Sequence, residues 1–433
     1  MLLAELLGAG LVQGAAAEPA VESVAARVRR ISASVEAIRG ERFLRPVALR
    51  QLSGEQMRRQ LRALLDREWP APKMAAQEQL FKLLGLLPPE LDLSSTLIAV
   101  LGEQVGGLYD PQDQVMLVGE AMRGRLLDVV LAHELTHALD DQLYGLGRLQ
   151  ELARTSTDLS FALSAVVEGS GTLAMSRFLL EQAGSDPLRL TELLAESGQI
   201  EAAQGERLMA APPFVQRNLM LSYLLGQTFL IDAPAGGLEL LTGPALEPRK
   251  LARAFRHPPQ SSEQVLHPER YWDPTQRDLP SRITFPRDGA ELLGPGWKLV
   301  ERDRLGELNA AIVTVRETSA GAAPSGAGLE GLMEVFMGGD WTTPAADGWD
   351  GDAALLFARG GERAAVWISV WDRPEDAAEF HAAYRPIAGP PSGKAVQGKL
   401  VAVVIGVDGA APKAQRLLDE VQLEPEPELV IAP

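Results

Sequence analysis

The chain contains no cysteine. That excludes disulfides, thiolate nucleophiles and cysteine-ligated zinc, so any metal centre must be built from imidazole and carboxylate. It does not fix the compartment, because a chain of 433 residues buries enough apolar surface to fold without covalent staples. Histidine is scarce, with five in the whole chain. There is no surplus of positive charge either. The net charge is −17; from Trp297 onward 12 basic residues stand against 21 acidic ones, giving −9 and leaving −8 for the rest. Both parts are acidic, so no basic patch is left to neutralise phosphates, and nucleic acid is not an expected partner. No apolar run reaches the roughly 20 residues of a membrane span, so no transmembrane segment is expected.

The first 17 residues, MLLAELLGAGLVQGAAA, are apolar and end in small residues that suit a signal-peptidase cut after Ala17. They lack a basic n-region, and Glu5 interrupts the apolar stretch. The segment reads as an export signal or a frayed helix, with an extracytoplasmic location favoured. Oligomeric state is not legible.

Hydrophobic residues make up 46% and charged residues 23% of the chain, the profile of an ordinary globular protein. The pattern along it predicts a helix-rich α+β fold in two parts, residues 18–296 and a small α+β domain at 297–433. Residues 18–66 read as helical and charged, punctuated by Gly40 and Pro46, with a helix from Gly54 to Glu68. Another helix covers 75–86, and Leu97 to Leu101 is a short apolar run. Leu108-Tyr109 and Val115 to Val118 flank the turn-former Asp110-Pro111-Gln112-Asp113, the signature of a β-hairpin. Long apolar helices follow at 123–144 and 157–183, and helical texture continues to about residue 256. Residues 257–296 are Pro-rich and irregular, and 318–328 is a low-complexity loop. In the last part, strands are expected at 353–358, 364–371 and 399–406, with helices at 374–385 and 411–421. Trp367 and Trp371 share strand parity, and core packing is the better reading of them than a binding face.

The chemistry is carried by His133-Glu134-Leu135-Thr136-His137. On a helix, positions i and i+4 sit on one face about 6 Å apart, so two imidazoles there reach one metal ion. Glu134 points off that line, where it can touch a metal-activated water as general base. With five histidines in the chain, such a motif is expected by chance in about one such sequence in two hundred. Leu126, Leu127, Val130, Leu131, Leu135, Ala138 and Leu139 would bury the rest of the helix and hold the ligands rigid. Asp140 and Leu143 stand where a metzincin has glycine and a third histidine, which excludes that class. Asp141 shares the helix face but would lie about 12 Å from His133, too far to converge. Glu168 is the better third ligand. It sits mid-helix in FALSAVVEGSGT, and a carboxylate among apolar residues is costly to bury unless paired or bound to a metal. Gly169, Ser170 and Gly171 would let that helix approach the first closely. Two histidines, one glutamate and an open position make a catalytic zinc site rather than a closed structural one.

The ordered set HELTHALDDQ, VVEGSGT, GGLYDPQDQVML, YLLGQTFL at 223–230 and PPQSSEQVLHPERY at 258–271 resembles a bacterial branch of the gluzincin metallopeptidases, of the MA-clan type. The likeness covers roughly residues 100–275. It implies a zincin-like, zinc-dependent peptide-hydrolysing fold with an edge strand along the cleft, near Leu108–Tyr109 or Val115–Val118, and a protein or peptide substrate. A further α+β domain behind the catalytic part recurs in similar bacterial proteins. Many gluzincins carry an acid four residues after the ligand glutamate; this chain has Thr172, so Asp140 or Asp141 is expected to support a ligand histidine instead. Two residues are candidate oxyanion donors. Tyr223 resembles the tyrosine that precedes a glycine in some gluzincins, and His267, with Tyr271 nearby, is the other. His257 and His381 read as structural or exposed. The expected activity is zinc-dependent hydrolysis of peptide bonds; the alternative is a zinc-binding interaction or chaperone-like protein without turnover.

Overall fold

The computed structural model describes residues 22–104, 106–120, 122, 124–184, 206–231, 247–285, 289–315 and 341–431. The segments 1–17 and 318–328 lie outside them. The fold is mixed α+β and helix-rich.

Helix α1 (Val24–Arg39) starts on a Ser23 cap and ends at Gly40, whose φ of 66° is the left-handed conformation that glycine adopts without strain. Strand β1 (Ala48–Leu52) follows, a correction to the helical texture, broken at Gly40 and Pro46, read over 18–66. It is mostly exposed and exists through pairing with β3, so nothing local in its sequence announces it. Helix α2 (Gly54–Glu68) opens on a capping box between Ser53 and Gln56. Helices α3 (Ala71–Leu84) and α4 (Leu93–Gln104) come next, so the run Leu97 to Leu101 belongs to a helix.

The expected hairpin is present as β2 (Gly107–Asp110) and β3 (Val115–Gly119), with Gln114 at φ 52° in its turn. The sheet order is β1-β3-β2, with β1 parallel and β2 antiparallel to β3. Of the two candidate edge strands, β2 is therefore the edge and β3 is interior.

Helix α5 (Gly124–Tyr144) lies beneath this sheet. Leu127, Val130, Leu131, Leu135 and Leu139 pack against Met116 and Val118 of β3 and Val28, Ile31 and Val35 of α1. Ala138 is buried as well, whereas the side chain of Leu126 lies outside the described set. Helix α6 (Leu146–Ala153) leads to α7 (Thr157–Ala183), which is capped by Ser156. By length and composition α7 could cross a membrane, but 78% of its apolar window is buried inside the protein. It is the central core helix, packed on α5, α6 and α8 (Pro213–Ile231).

Strand β4 (Ser281–Thr284) pairs with the strand Gln422–Pro425, and β5 (Lys298–Asp303) forms a five-stranded antiparallel sheet with β6 (Trp349–Arg359), β7 (Glu362–Trp371), β8 (Ser392–Gln397) and β9 (Leu400–Ile405), in the order β5-β6-β7-β9-β8. One face is covered by the helix Ala410–Glu420 through Ala414, Leu417 and Leu418. On the other face Trp349, Trp367 and Trp371 are buried with Phe380 and with Phe81 and Leu84 of α3. The two tryptophans of β7 are thus core residues. The tyrosine hydroxyl of Tyr384 donates to the Leu84 carbonyl at 3.0 Å across this junction. The N-terminal helices and the C-terminal sheet share one hydrophobic cluster.

Candidate metal centre

His133 and His137 sit one turn apart on α5, and α7 brings Glu168 to them. The Nε2 atoms of the two histidines are 2.9 Å apart. Glu168 Oε2 lies 3.2 Å from His133 Nε2 and 3.7 Å from His137 Nε2. Three donors each about 2.0–2.1 Å from one tetrahedral metal would be about 3.4 Å apart, and the three separations bracket that value. All three side chains are buried. The other carboxylate oxygen, Glu168 Oε1, has no hydrogen-bond partner.

Glycine makes the convergence possible. A Cβ on Gly171 would fall 2.7 Å from His133 Cε1 and 2.8 Å from His137 Cε1. Only a residue without a side chain lets α7 pass the imidazole edges. Gly169 looks the other way, toward α8, and Ser170 points back to α5, where its hydroxyl donates to Asp140 Oδ2 at 2.6 Å. The small-residue run of α7 therefore serves two neighbours rather than one.

The electrostatics suit a cation. Burial, and then His137, hold His133 below its ordinary pKa, against the pull of Glu168. Burial would raise Glu168, but the two imidazoles outweigh it and hold the carboxyl below its ordinary range. Both groups thus favour the proton-free forms that ligate metal. The donor set of two imidazole nitrogens and one carboxylate oxygen fits a borderline divalent ion such as zinc.

Glu134 stands beside this triad. Its Oε2 accepts a hydrogen bond at 2.8 Å from the backbone N–H of Tyr109, on edge strand β2. Burial, with Glu168 adding to it, pushes the carboxyl up to about 8. A cation held by the triad would draw it back down. Gly107 lets the strand come this close, since a Cβ there would meet Val130 of α5 at 3.2 Å.

The expected supporting acids take other partners. Asp140 Oδ1 pairs with Arg39 at 2.7 Å, and Arg39 also donates to Ser170 Oγ at 3.1 Å. Arg39, buried at the end of α1, thereby ties α1, α5 and α7 together behind the His133–His137–Glu168 cluster; nothing in the local sequence marks it. Asp140 also acts on His133 through its charge. Asp141 Oδ2 accepts from the Tyr109 hydroxyl at 2.8 Å, and its Oδ1 accepts from Leu146 N at 3.0 Å. Thr172 is buried in α7.

Of the two candidate oxyanion donors, Tyr223 is brought to the centre. Its ring stacks on His133 with centroids 5.8 Å apart. His267 is held elsewhere: its Nε2 lies 3.1 Å from Glu307 Oε1, and no described contact joins it to the triad. Burial alone would lower His267, but Glu307 outweighs it and raises its pKa. Tyr271 is spent on the carbonyl of His257, at 2.6 Å. His257 faces Glu428 on the surface, and His381 is half-buried.

A family model described as a domain of unknown function (DUF8575) matches residues 297–417. The match begins at Trp297 and leaves the His133–His137–Glu168 cluster outside it. No curated protein and no solved structure matches the chain.

Proposed function

We propose that the chain is a zinc metalloendopeptidase of gluzincin type on a zincin-like scaffold, cutting peptide bonds in extended protein segments. The observation that carries this reading is the meeting of His133, His137 and Glu168 in one buried cluster, all donor atoms within 4.8 Å of one another, with Glu134 on the same helical turn. A site that only stiffened the fold would have no use for that glutamate.

A zinc ion held by the triad would act as Lewis acid and bring a water in its open position toward ionisation near neutral pH. The chain's own residues supply the rest. Glu134 takes a proton from the attacking water and passes it to the leaving amine. The Tyr109 N–H fixes the orientation of that carboxylate. The Tyr223 side chain, next to His133, is the donor for the substrate oxygen as charge grows on it. Strand β2 ends its sheet beside Glu134, and an extended peptide would add to the sheet on that side.

The test is a pair of measurements on wild type and Glu134→Gln: zinc per chain, and cleavage of casein. One zinc in both, with chelator-sensitive cleavage by the wild type alone, is the expected result. Zinc in both with cleavage in neither would favour the non-catalytic zinc-binding reading. Folded protein, purified without chelator and holding no zinc, would overturn the proposal.

A further inference from the structure

A cavity of 130 Å³ lies between α7 and α8, bordered by α2, α3, α4 and α6 and open to solvent on one side. Most of its wall area is apolar, from residues such as Leu65, Leu97, Phe161 and Phe214, with the paired charges of Arg154 and Glu68 on one side. Three observations together say what it takes.

The first is position. Ser160, Phe161 and Ser164 of α7 line the cavity. Glu168 and Gly171 follow Ser164 at one-turn steps. At about 100° per residue, these five positions fall within one arc of about 100°, so they form one stripe along the helix. The stripe runs from the cavity to the metal ligands, and Ser164 is only about 6 Å along the axis from Glu168. On α8, Leu219 lines the cavity and Tyr223 comes one turn later. On each helix one turn separates the cavity lining from a residue at the His133–His137–Glu168 cluster, although the cluster's own residues do not line the cavity.

The second is size. A cavity of about 150 Å³ with apolar walls holds one benzene ring. At 130 Å³ this one is of the size that holds one ring and no more, with the rest of a bound residue left toward its open side.

The third is polarity. Gln150 of α6 lines the cavity, is 1% exposed, and has no hydrogen-bond partner for either Nε2 or Oε1. Folded proteins leave few buried polar atoms unmatched, and two on one side chain facing a cavity mark where a ligand's polar group arrives. Nε2 donates and Oε1 accepts, so the matching group must do both. A phenol hydroxyl does, and it is carried on a ring of the right size.

We propose that this cavity is the specificity pocket of the peptidase site and takes a tyrosine side chain flanking the bond to be cut, with Gln150 hydrogen-bonding the phenol. The peptide part of this inference rests on the hydrolase reading; the affinity of the pocket for a phenol does not. The test therefore begins with binding. N-acetyl-tyrosinamide and N-acetyl-phenylalaninamide are titrated by calorimetry into the full chain carrying Glu134→Gln, alone and with Gln150→Leu or Gln150→Met. Tyrosinamide should bind about tenfold more tightly or better, since a site built for a hydroxyl rejects the analogue that lacks it. Both Gln150 variants should lose that preference while melting no lower than the parent, because two unmatched buried polar atoms are gone. Equal affinities in the parent, no binding of either compound, or a preference that survives Gln150→Leu would each overturn the proposal. Peptide pairs differing only in tyrosine or phenylalanine, offered to the wild type, then separate the two ideas. Loss of all cleavage with the binding preference intact would count against the peptidase alone. Cleavage of casein without any tyrosine preference in binding would count against the pocket alone.

Discussion

Gly169 and Gly226 meet backbone to backbone. A Cβ on Gly169 would lie 2.4 Å from the Gly226 carbonyl carbon, and one on Gly226 would lie 2.1 Å from the Ala165 carbonyl oxygen. This crossing sets α8 against α7 at the level of Glu168, and it is what carries Tyr223 to His133. Gly226→Ala must push the helices apart. It should destabilise the fold by about 2 kcal/mol, the ordinary scale of overpacking, and weaken zinc binding with it. Gly171→Ala should act differently. The three atoms nearest its methyl would all belong to the two imidazoles, so zinc affinity should fall about 10- to 100-fold while the metal-free melt moves little. Chelator competition and thermal melts on both variants decide this. A Gly171→Ala protein that binds zinc like the wild type would show that the imidazoles have room to retreat.

Removing the Tyr223 hydroxyl should leave the ring, its stack on His133 and the bound zinc in place. Tyr223→Phe is expected to lower kcat by about 10²-fold, the usual consequence of losing one donor to a developing oxyanion. Unchanged kcat with one zinc per chain would return that role to another group.

Arg39 and Asp140 form a pair with almost no exposure. Arg39→Met leaves the carboxylate buried without its cation, which should cost about 3 kcal/mol or more. Adding Asp140→Asn to that variant should recover much of the loss. Denaturant midpoints for the two single variants and the double variant measure it, and strictly additive effects would mean that the two side chains do not support each other.

The tie between His267 and Glu307 gives a pH dependence with a definite sign. His267 is raised in the folded protein, chiefly because the Glu307 carboxylate overcomes the effect of burial. A group raised on folding stabilises fully below its unfolded pKa, ordinarily 6.5, and loses that contribution as pH climbs through the raised value. The neighbouring acid Glu269, 3.9 Å from His267 Nδ1, works in the same direction. His267→Gln should therefore lower the melting temperature more at pH about 5.5 than at about 8.5. An equal drop at both would mean that the ring is neutral in the folded state.

The parts of this protein that its sequence determined are those that depend on neighbours within a turn or two. The spacing of His133 and His137 places both rings on one side of any helix. The limits of α5 and α7 follow from long, mostly apolar runs and from local signals such as the Ser156 cap. The hairpin around Asp110–Asp113 follows from turn chemistry, and the common face of Trp367 and Trp371 follows from strand parity. Glu168 was legible because a lone carboxylate in an apolar helix needs a partner. What only the tertiary structure decided are the meetings between distant segments. Arg39 reaches Asp140 from 101 positions earlier in the chain. Tyr109 binds Glu134 through a backbone N–H, a group that every residue but proline carries and no sequence distinguishes. Tyr223 and His267 were equal candidates by chemistry; the Gly169–Gly226 crossing brought one to the centre, and Glu307 held the other away. Strand β1 exists through β3, and the C-terminal sheet is completed by α3, because strand pairing and face burial are settled by packing between segments and not by local preference.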